Sequence, residues 1–323
     1  MAQVSGTKRP IPVFTGGTGR SGTTIIGDLL GKHELIRTST PTEIKFVSNA
    51  GGLLDVLFGY RVEPGKELKK ISILNYRTYT KRKNQEIKRS QEMLAELEVM
   101  IWNKWWDIDA APPHGRGLQS GIDRVKLESL LSQFKSSFSK NRLKAGRNFL
   151  EGLISQQRHA SAEKYWVETT PLNIANAERI LKIFPDALFI NMVRDPRDVI
   201  ASLLTKNWGP ATPLEGIAWI EKRLIDGHRG LSNVPAPQQI TIALEDLVIT
   251  NREGEYQRLL NFLQINDSAD MRMFFNDAMN AQDASSGRWR SEIIDPTFAT
   301  EFDLMLERLT SQGIPTYVSN STN

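Results

Sequence analysis

Residues 16–24 of the chain read Gly-Gly-Thr-Gly-Arg-Ser-Gly-Thr-Thr, between the short apolar segment Pro12-Val13-Phe14 and a helical pattern over residues 25–30. Glycines in such a turn let several backbone N–H groups point at one anion, and the first turn of the following helix adds unpaired N–H groups and a partial positive charge. Strand, glycine-rich loop and helix together predict a phosphate-binding loop. A glycine-rich turn without a ligand is the alternative.

The spacing within this loop matches only part of the nucleotide-triphosphatase pattern G-x-x-x-x-G-K-[ST]. Gly17 and Gly22 have the required spacing and Thr24 supplies the hydroxyl, but Thr23 occupies the place of the lysine. The cation of the loop is Arg20, three residues earlier. Without the lysine the loop is poorly suited to bridge the β- and γ-phosphates of ATP, but it can hold a single 5′-phosphate beside another anionic group.

Three further apolar segments, residues 165–168, 188–193 and 240–244, have the length and composition of buried strands. Each precedes a helical stretch. This alternation predicts an α/β fold, a three-layer sandwich with a central, mostly parallel sheet flanked by helices. The sequence between the first two units is helical in pattern, so we predict one domain, residues 1–323, carrying a helical insertion over residues 53–160.

A second group of polar residues follows the predicted strand 188–193. It reads Arg-Asp-Pro-Arg-Asp-Val-Ile-Ala-Ser over residues 194–202, with Lys206 beyond. Arg194 would lie at the carboxyl end of the strand, where open α/β sheets bind ligands. Ser202 and Lys206 are four apart and would share one helix face. These three residues are predicted to surround a second phosphate.

In the same segment we interpret Arg197 and Asp198 as surface charges of a strand-to-helix turn. They are given no part in ligand binding. Glu168 and the pair Glu245-Asp246 are likewise interpreted as structural carboxylates, which brace loops or cap a helix.

The composition excludes several kinds of site. The chain has no cysteine, which excludes disulfides, thiolate metal sites and a cysteine nucleophile, and its four histidines are dispersed, so we predict no metal. The net charge of +4 is too small to indicate nucleic-acid binding. No apolar run approaches the ~18 residues of a membrane span, and the N-terminus has no secretory signal, so we expect a cytoplasmic protein. Residues 318–323 have the composition of a disordered tail.

Two motifs, GTGRSGTT and VRDPRDVIAS, together resemble the sulfotransferases that use 3′-phosphoadenosine 5′-phosphosulfate (PAPS). Between them, WVETTP is similar to a segment of that family, and further on Glu-Asp-Leu at 245–247 and Ser-Gly-Arg-Trp at 286–289 resemble a recurrent turn and a C-terminal loop that closes over the nucleotide. The resemblance covers both ends of the chain but not its basic middle. It implies a P-loop-like fold, PAPS as sulfuryl donor and 3′,5′-ADP as product.

The resemblance also implies roles for individual residues. The 5′-phosphosulfate would be held by the loop residues Gly19, Arg20, Ser21, Gly22, Thr23 and Thr24. The 3′-phosphate would be held by Arg194 and Ser202 with support from Lys206, and the closing loop by Ser286, Gly287 and Arg288. Two positions depart from the family: Thr169 stands where many relatives have a lysine, and Leu244 where relatives often have an aromatic residue.

For the chemistry we predict Arg20, with the loop amides, as the stabiliser of the bridging oxygen and Glu43 as the general base. The position of Glu43 after the first strand-helix unit resembles that of the glutamate base in tyrosylprotein and heparan-type sulfotransferases, and Lys45 or Arg37 would assist it. A solvated loop carboxylate is the alternative for Glu43. His33, the rival base, suits a capping or packing role better.

The acceptor is not identified by any motif. We expect a small molecule, lipid or saccharide with a hydroxyl group, bound by the helical insertion. Net charges of +6 over residues 60–92 and +5 over residues 123–148 are consistent with an anionic acceptor, although a solvated helix surface is the interpretation that we favour. The oligomeric state is left open. The competing functions are an ATP- and magnesium-dependent phosphotransferase and a non-enzymatic module that binds polyanions.

Overall fold

The computed structural model describes residues 9–59, 76–107, 117–157 and 163–319. The chain forms two compact units. The first, which we call the sheet unit, comprises Met1–Thr42 and Arg158–Asn323, and the second, the helical unit, is Glu43–Gln157. The helical unit covers most of the predicted insertion 53–160, whose residues 60–75, 108–116 and 158–160 lie outside the described residues. The single-domain organisation stays a prediction.

The sheet unit is built on five strands, all paired in parallel, in the order β2-β3-β1-β4-β5. Their bounds are β1 Ile11–Gly17, β2 Ile36–Thr38, β3 Tyr165–Glu168, β4 Leu188–Val193 and β5 Gln239–Ala243. The predicted α/β class with a parallel sheet is therefore confirmed. The sequence analysis did not predict β2, a three-residue strand with one buried side chain, Ile36.

The helices alternate with these strands and also make up the helical unit. In chain order they are α1 Thr23–Leu30, α2 Leu53–Phe58, α3 Tyr76–Met100, α4 Arg124–Phe138, α5 Arg142–Gln156, α6 Ala177–Ile183, α7 Pro196–Leu204, α8 Pro213–Leu231, α9 Arg252–Leu263, α10 Ala269–Ala278, α11 Ala281–Ala284, α12 Trp289–Glu292 and α13 Phe298–Ser311. Short 3₁₀ turns cover Leu118–Ser120, Pro171–Asn176 and Ala236–Gln238, and π-helical turns cover Ile101–Trp105 and Asp246–Thr250.

The central strand β1 is buried on both faces, because successive side chains point to opposite sides of a sheet. Val13 belongs to a buried cluster with Ile26 of α1. Phe14 stacks on Phe184 and Phe189, with ring centroids 6.4 and 6.1 Å apart. Each fully buried aromatic side chain contributes roughly 2–3 kcal/mol, so the strand that carries the glycine-rich loop is fixed from both sides.

The strand order places this loop at a change of direction in the sheet. From β1 the chain moves outward to β2 and returns through β3, whereas β4 and β5 lie on the other side of β1. Ligands of open α/β sheets bind at the carboxyl ends of the strands where the order reverses. The crevice between the ends of β1 and β4 is the place where the two predicted phosphate motifs meet.

The helical unit has its own core. Leu94 and Leu97 of α3 and the following Ile101 are buried, as their spacing predicted. Phe134 of α4 stacks on Phe149 of α5 with ring centroids 5.2 Å apart. Among the described residues, no helix combines the length and the apolar character that crossing a bilayer would require.

Candidate functional site

The loop between β1 and α1 is held in an unusual backbone conformation. Gly19 (φ +82°), Arg20 (φ +56°) and Gly22 (φ +94°) are all in the left-handed region, which costs a residue with a side chain roughly 1–2 kcal/mol. Left-handed residues turn a chain so that successive N–H groups converge on one point. Gly22 is the N-cap residue of α1 and has no side chain that could occupy the first N–H groups of the helix.

The start of the loop is packed between two neighbouring segments, the turn after β3 and the end of β4. A Cβ atom on Gly16 would lie 2.7 Å from the carbonyl oxygen of Pro171, and one on Gly17 would lie 2.2 Å from that of Met192. Neither position has room for a side chain, because real Cβ atoms do not approach oxygen this closely. The two glycines therefore let the loop fit between the end of β4 and the turn that follows β3.

The structure brings the two predicted phosphate motifs together. The Nε of Arg20 donates to the hydroxyl of Ser202 on α7 at 3.0 Å, and the guanidinium of Arg194 donates to the carbonyl oxygen of Arg20 at 3.1 Å. A second N–H of Arg194 donates to the carbonyl of Ala284 at 2.6 Å. Arg20 from the first motif and Arg194 and Ser202 from the second thus form one cluster. The C-terminal segment, residues 284–289, lies beside it.

This cluster is positively charged and partly buried. Burial lowers the pKa of Arg194, and the neighbouring Arg288 and Arg20 lower it further, against the opposing charges of Asp198 and Glu245. Three buried polar atoms in the cluster have no hydrogen-bond partner among the described residues: Ser21 Oγ, Arg194 Nε and Ser286 Oγ. Buried polar groups are normally paired, so this arrangement suits a ligand that brings several anionic oxygens.

Asp198 corrects one interpretation made from the sequence. It is fully buried rather than a surface charge. Its carboxylate accepts hydrogen bonds from the N–H groups of Gly287 at 2.8 Å and Trp289 at 3.2 Å, so it fixes the C-terminal segment that the sequence predicted to close over a nucleotide. Burial raises its pKa, although these two N–H groups oppose the shift. Arg288 itself pairs with Glu292 at 2.9 Å.

Arg197 also differs from the surface charge that the sequence suggested. Its guanidinium lies 2.6 Å from the carboxylate of Asp195 and 4.3 Å from the centre of the Trp289 ring. Burial disfavours the charged form of Asp195, but hydrogen bonds from Arg197 and Ser319 outweigh it and lower the pKa of Asp195. Ser319, in the predicted tail, donates to Asp195 at 2.9 Å; residues 320–323 lie outside the described residues.

The prediction that placed Lys206 on the same helix face as Ser202 is wrong. The predicted face shared with Ser202 does not form, because α7 ends at Leu204. Lys206 lies in the turn after the helix, where its N–H donates to the carbonyl of Leu203 at 2.9 Å. The described residues give its ammonium group no ion pair or hydrogen bond.

Glu168 and Glu245 brace the edge of the sheet, as the sequence suggested. Glu168 is fully buried and accepts hydrogen bonds from Thr170 and Asn173. One oxygen of Glu245 accepts the N–H of Asp195 at 3.0 Å, and its other oxygen has no partner among the described residues. Burial raises the pKa of Glu245 to about 6.

The two positions that depart from the family have apolar surroundings. Thr169 is buried, its hydroxyl donates to the carbonyl of Thr42 at 3.0 Å, and its methyl group lies against Gly27 of α1. Leu244 packs over Gly22, with its Cδ1 atom 2.9 Å from where a Cβ would be. Thr169 therefore provides no positive charge near the loop, and Leu244 provides no aromatic ring there.

The predicted base, Glu43, is the first residue of the helical unit. It is half-buried, and its carboxylate lies 3.6 Å from the ammonium group of Lys45. The residue before it is anchored in the sheet unit, because the carbonyl of Thr42 accepts hydrogen bonds from both the N–H and the hydroxyl of Thr169. Arg37, the other predicted assistant, lies in β2 with its guanidinium 3.7 Å from Glu163.

His33, the rival base, lies near the amino ends of the strands, between the end of α1 and the start of β2. It is buried. One ring nitrogen accepts the N–H of Leu35 at 3.1 Å, so the other carries the proton and donates to the carbonyl of Asn266 at 3.0 Å. His33 is therefore a packing residue. Among the described residues no cluster of three or more His, Asp or Glu side chains could hold a metal ion.

The sequence analysis did not identify two residues of α8, Trp219 and Arg223, that the structure places beside the loop. The edge of the Trp219 ring faces the loop, 3.9 Å from where a Cβ on Gly19 would be, and Arg223 lies over the same ring. Their spacing of four residues, on the helix that follows the second motif, was the available signal.

Comparison with known proteins shows one family. The model described as "Sulfotransferase family" matches residues 12–269. No curated protein sequence matches the chain significantly. Solved structures with similarity include sulfotransferase STF9 from Mycobacterium avium (16% identity, 98% of this chain and 79% of that one, TM-score 0.47) and sulfotransferase STF1 from Mycobacterium tuberculosis H37Rv (13%, 94% and 78%, 0.47).

Another is retinol dehydratase in complex with androsterone and the inactive cofactor PAP (15% identity, 96% of this chain and 83% of that one, TM-score 0.40). All three TM-scores are below 0.5, so these likenesses add nothing to the family match.

Proposed function

The chain belongs to the sulfotransferase family, and we propose that it transfers a sulfuryl group from PAPS to a hydroxyl group of an acceptor. The observation that carries the proposal is the convergence of Arg20, Arg194 and Ser202 at the carboxyl ends of β1 and β4. PAPS carries two separate anionic groups, the 3′-phosphate and the 5′-phosphosulfate. A glycine-rich loop joined to a second cationic cluster suits such a ligand better than it suits a single triphosphate chain.

In this proposal the loop residues Gly19 to Thr24 hold the 5′-phosphate through their N–H groups, while Arg194 and Ser202 hold the 3′-phosphate. The unpartnered Nε of Arg194 supports that assignment, because a phosphate oxygen would satisfy it. Ser286 also has an unpartnered hydroxyl, and it lies in the segment that Asp198 fixes. We assign Ser286, Gly287 and Arg288 to the nucleotide side of the site, with Lys206 as a more distant support.

The reaction is an in-line displacement at sulfur. The acceptor hydroxyl oxygen forms a bond to sulfur while the bond from sulfur to the bridging phosphate oxygen breaks, and 3′,5′-ADP leaves. Negative charge grows on the bridging oxygen as this bond breaks. The loop N–H groups, with Arg20 beside them, stabilise that charge without rearranging, which is where a preorganised site gains most of its rate.

The hydroxyl proton needs an acceptor, and we assign that role to Glu43. The anchoring of Thr42 by Thr169 supports the assignment, because chain continuity fixes the Cα atom of Glu43 about 3.8 Å from that of Thr42. The ammonium group of Lys45 lies 3.6 Å from the carboxylate and can orient it. We assign no such role to His33, because both of its ring nitrogens contact backbone groups.

The acceptor is a molecule with a free hydroxyl group, such as a small metabolite, a lipid or a saccharide. Its anionic character stays a prediction, because a large part of the basic stretch 60–92 lies outside the residues that the structure describes.

Calorimetric titration with matched nucleotides tests the proposal. The protein should bind 3′,5′-ADP at least tenfold more tightly than 2′,5′-ADP, which has the same charge but places the second phosphate on the other hydroxyl. It should bind ATP with Mg²⁺ more weakly than 3′,5′-ADP. Tighter binding of ATP with Mg²⁺ would instead identify a phosphotransferase. Binding that depends on salt alone, with no preference among the nucleotides, would identify a polyanion-binding module.

A further inference from the structure

Arg223 lies beside the loop, on α8, and takes no part in the cluster of Arg20, Arg194 and Ser202. Its guanidinium is 4.9 Å from the centre of the Trp219 ring, and the edge of that ring faces Gly19 of the loop. Trp219 and Arg223 are four residues apart and therefore lie on the same side of the helix. Arg223 is thus one aromatic ring away from the loop.

Arg223 has no hydrogen bond and no ion pair within the part of the chain that the structure describes. Burial lowers its pKa, and the opposing charge is that of Asp226. Asp226 is one turn further along the helix and is itself 3.1 Å from the ammonium group of Lys222. A half-buried guanidinium without a carboxylate or carbonyl partner loses hydration that nothing in the described residues replaces.

Stacking on Trp219 does not by itself offset the lost hydration of the Arg223 guanidinium. Stacking of a guanidinium on a tryptophan contributes about 0.5–1 kcal/mol at exposed sites and up to ~2 kcal/mol when desolvated. It engages the flat face of the guanidinium and leaves all five of its N–H groups unpaired. Those N–H groups remain available to an anionic ligand.

The two arginines of the cluster already use part of their guanidinium groups within the protein. Arg20 donates its Nε to Ser202, and Arg194 donates to the carbonyls of Arg20 and Ala284. At Thr169, where many relatives carry a lysine, the side chain is buried against Gly27. Arg223 adds a cation beside the loop whose N–H groups have no partner among the described residues.

We propose that Arg223, oriented by Trp219, binds the oxygens of the sulfuryl group that is transferred. The inference rests on the proposed function, since it takes PAPS as the donor. The guanidinium N–H groups donate to the sulfuryl oxygens, and the contact persists as the bond from sulfur to the bridging oxygen breaks. Trp219 is a positioning residue, because its ring contacts the loop and holds the guanidinium flat.

The test compares two nucleotides that differ only by the sulfuryl group. Arg223→Gln should weaken binding of PAPS, measured without acceptor, by about tenfold, the effect of losing one charge-assisted hydrogen bond. Binding of 3′,5′-ADP should change less than twofold, which also shows that the variant is folded. The matched control is Arg229→Gln, an exposed arginine on the same helix, which should change neither affinity.

Equal affinities of wild type and Arg223→Gln for PAPS, or an equal loss for both nucleotides, would overturn the role of Arg223. Failure of the proposed function has a different signature, because the wild-type protein would then bind neither nucleotide. Trp219→Leu supplies a second measurement. Loss of the ring should weaken PAPS more than 3′,5′-ADP, in the same sense as Arg223→Gln but by a smaller factor, and an unchanged ratio of the two affinities would argue against the orientation by Trp219.

Discussion

Buried polar groups are arranged differently at the two ends of the parallel strands, which we call the amino edge and the carboxyl edge. At the amino edge, His33 uses both ring nitrogens on backbone groups, and the hydroxyl of Tyr165 donates to the carbonyl of Leu263 at 2.6 Å. Two guanidinium nitrogens of Arg37 at this edge have no hydrogen-bond partner among the described residues, but the guanidinium lies beside the carboxylate of Glu163, at 3.7 Å. At the carboxyl edge, Ser21, Arg194 and Ser286 each keep a buried polar atom without a partner among the described residues. An unpaired buried polar atom costs about 1–3 kcal/mol.

We take this difference as support for a ligand site at the carboxyl edge. Both edges contain ionisable side chains, so charge alone does not distinguish them. Whereas the unpartnered atoms of Arg37 lie beside a carboxylate, those of the carboxyl edge come from three separate segments, the loop, the end of β4 and the C-terminal segment. An anionic ligand would satisfy several of them at once, and variants at the two edges should therefore differ in what they change.

The largest effect is expected from Glu43→Gln, because it removes the proposed base. Turnover should fall by about 10²- to 10⁴-fold, the usual contribution of general base catalysis, while affinity for 3′,5′-ADP stays the same. The measurement is transfer of labelled sulfate from PAPS to a mixture of hydroxyl compounds. His33→Gln is the matched variant at the amino edge, and it should lower stability but leave the turnover of the folded protein unchanged. Normal turnover in Glu43→Gln would remove Glu43 from the mechanism.

The next largest effect is expected from Arg194→Ala. Affinity for 3′,5′-ADP should fall by about 10- to 100-fold, because a charged hydrogen bond to a phosphate contributes roughly 1.5–3 kcal/mol. Affinity for 5′-AMP, which lacks the 3′-phosphate, should fall much less. Because Arg194 also holds the carbonyl of Arg20, some loss for 5′-AMP is expected. Titration calorimetry with both nucleotides measures the difference, and an equal loss for the two would contradict the 3′-phosphate assignment.

Much of the carboxyl edge was predictable, because its elements are local. A glycine-rich turn and an arginine after a strand each follow from a few adjacent residues, and parallel strands bring their carboxyl ends together. Lys206 was misplaced because the end of a helix depends on cooperative hydrogen bonds that a spacing of four does not report. Asp198 was misjudged because its partners, Gly287 and Trp289, lie about 90 residues further along the chain. Strand β2 was missed because three residues are too short for a periodic pattern.

Asp198→Asn examines the C-terminal segment at the carboxyl edge through a residue that is not itself a proposed ligand contact. The amide retains only one oxygen for two N–H donors, so the free energy of unfolding should fall by about 2–3 kcal/mol. Hydrogen exchange of the Gly287 and Trp289 amides should also become faster. Urea unfolding and exchange measurements check both, with Asp303→Asn, an exposed aspartate of α13, as control. Unchanged exchange at these two amides would mean that Asp198 does not hold the closing segment.

The smallest effect is a dependence on pH from Glu245, whose burial raises its pKa from 4.5 to about 6. Between these two values the folded protein keeps a proton that the unfolded chain has lost. The stabilisation from this group is therefore fully present below pH 4.5 and is lost as the pH rises through 6, by up to about 2 kcal/mol. Glu245→Gln stays neutral, so wild type should lose stability relative to this variant across that range, as measured by urea unfolding at each pH. The exposed Glu307→Gln of α13 should show no such trend relative to wild type. A constant difference between wild type and Glu245→Gln would mean that the pKa of Glu245 is the same in the folded and the unfolded chain, and would contradict the raised pKa.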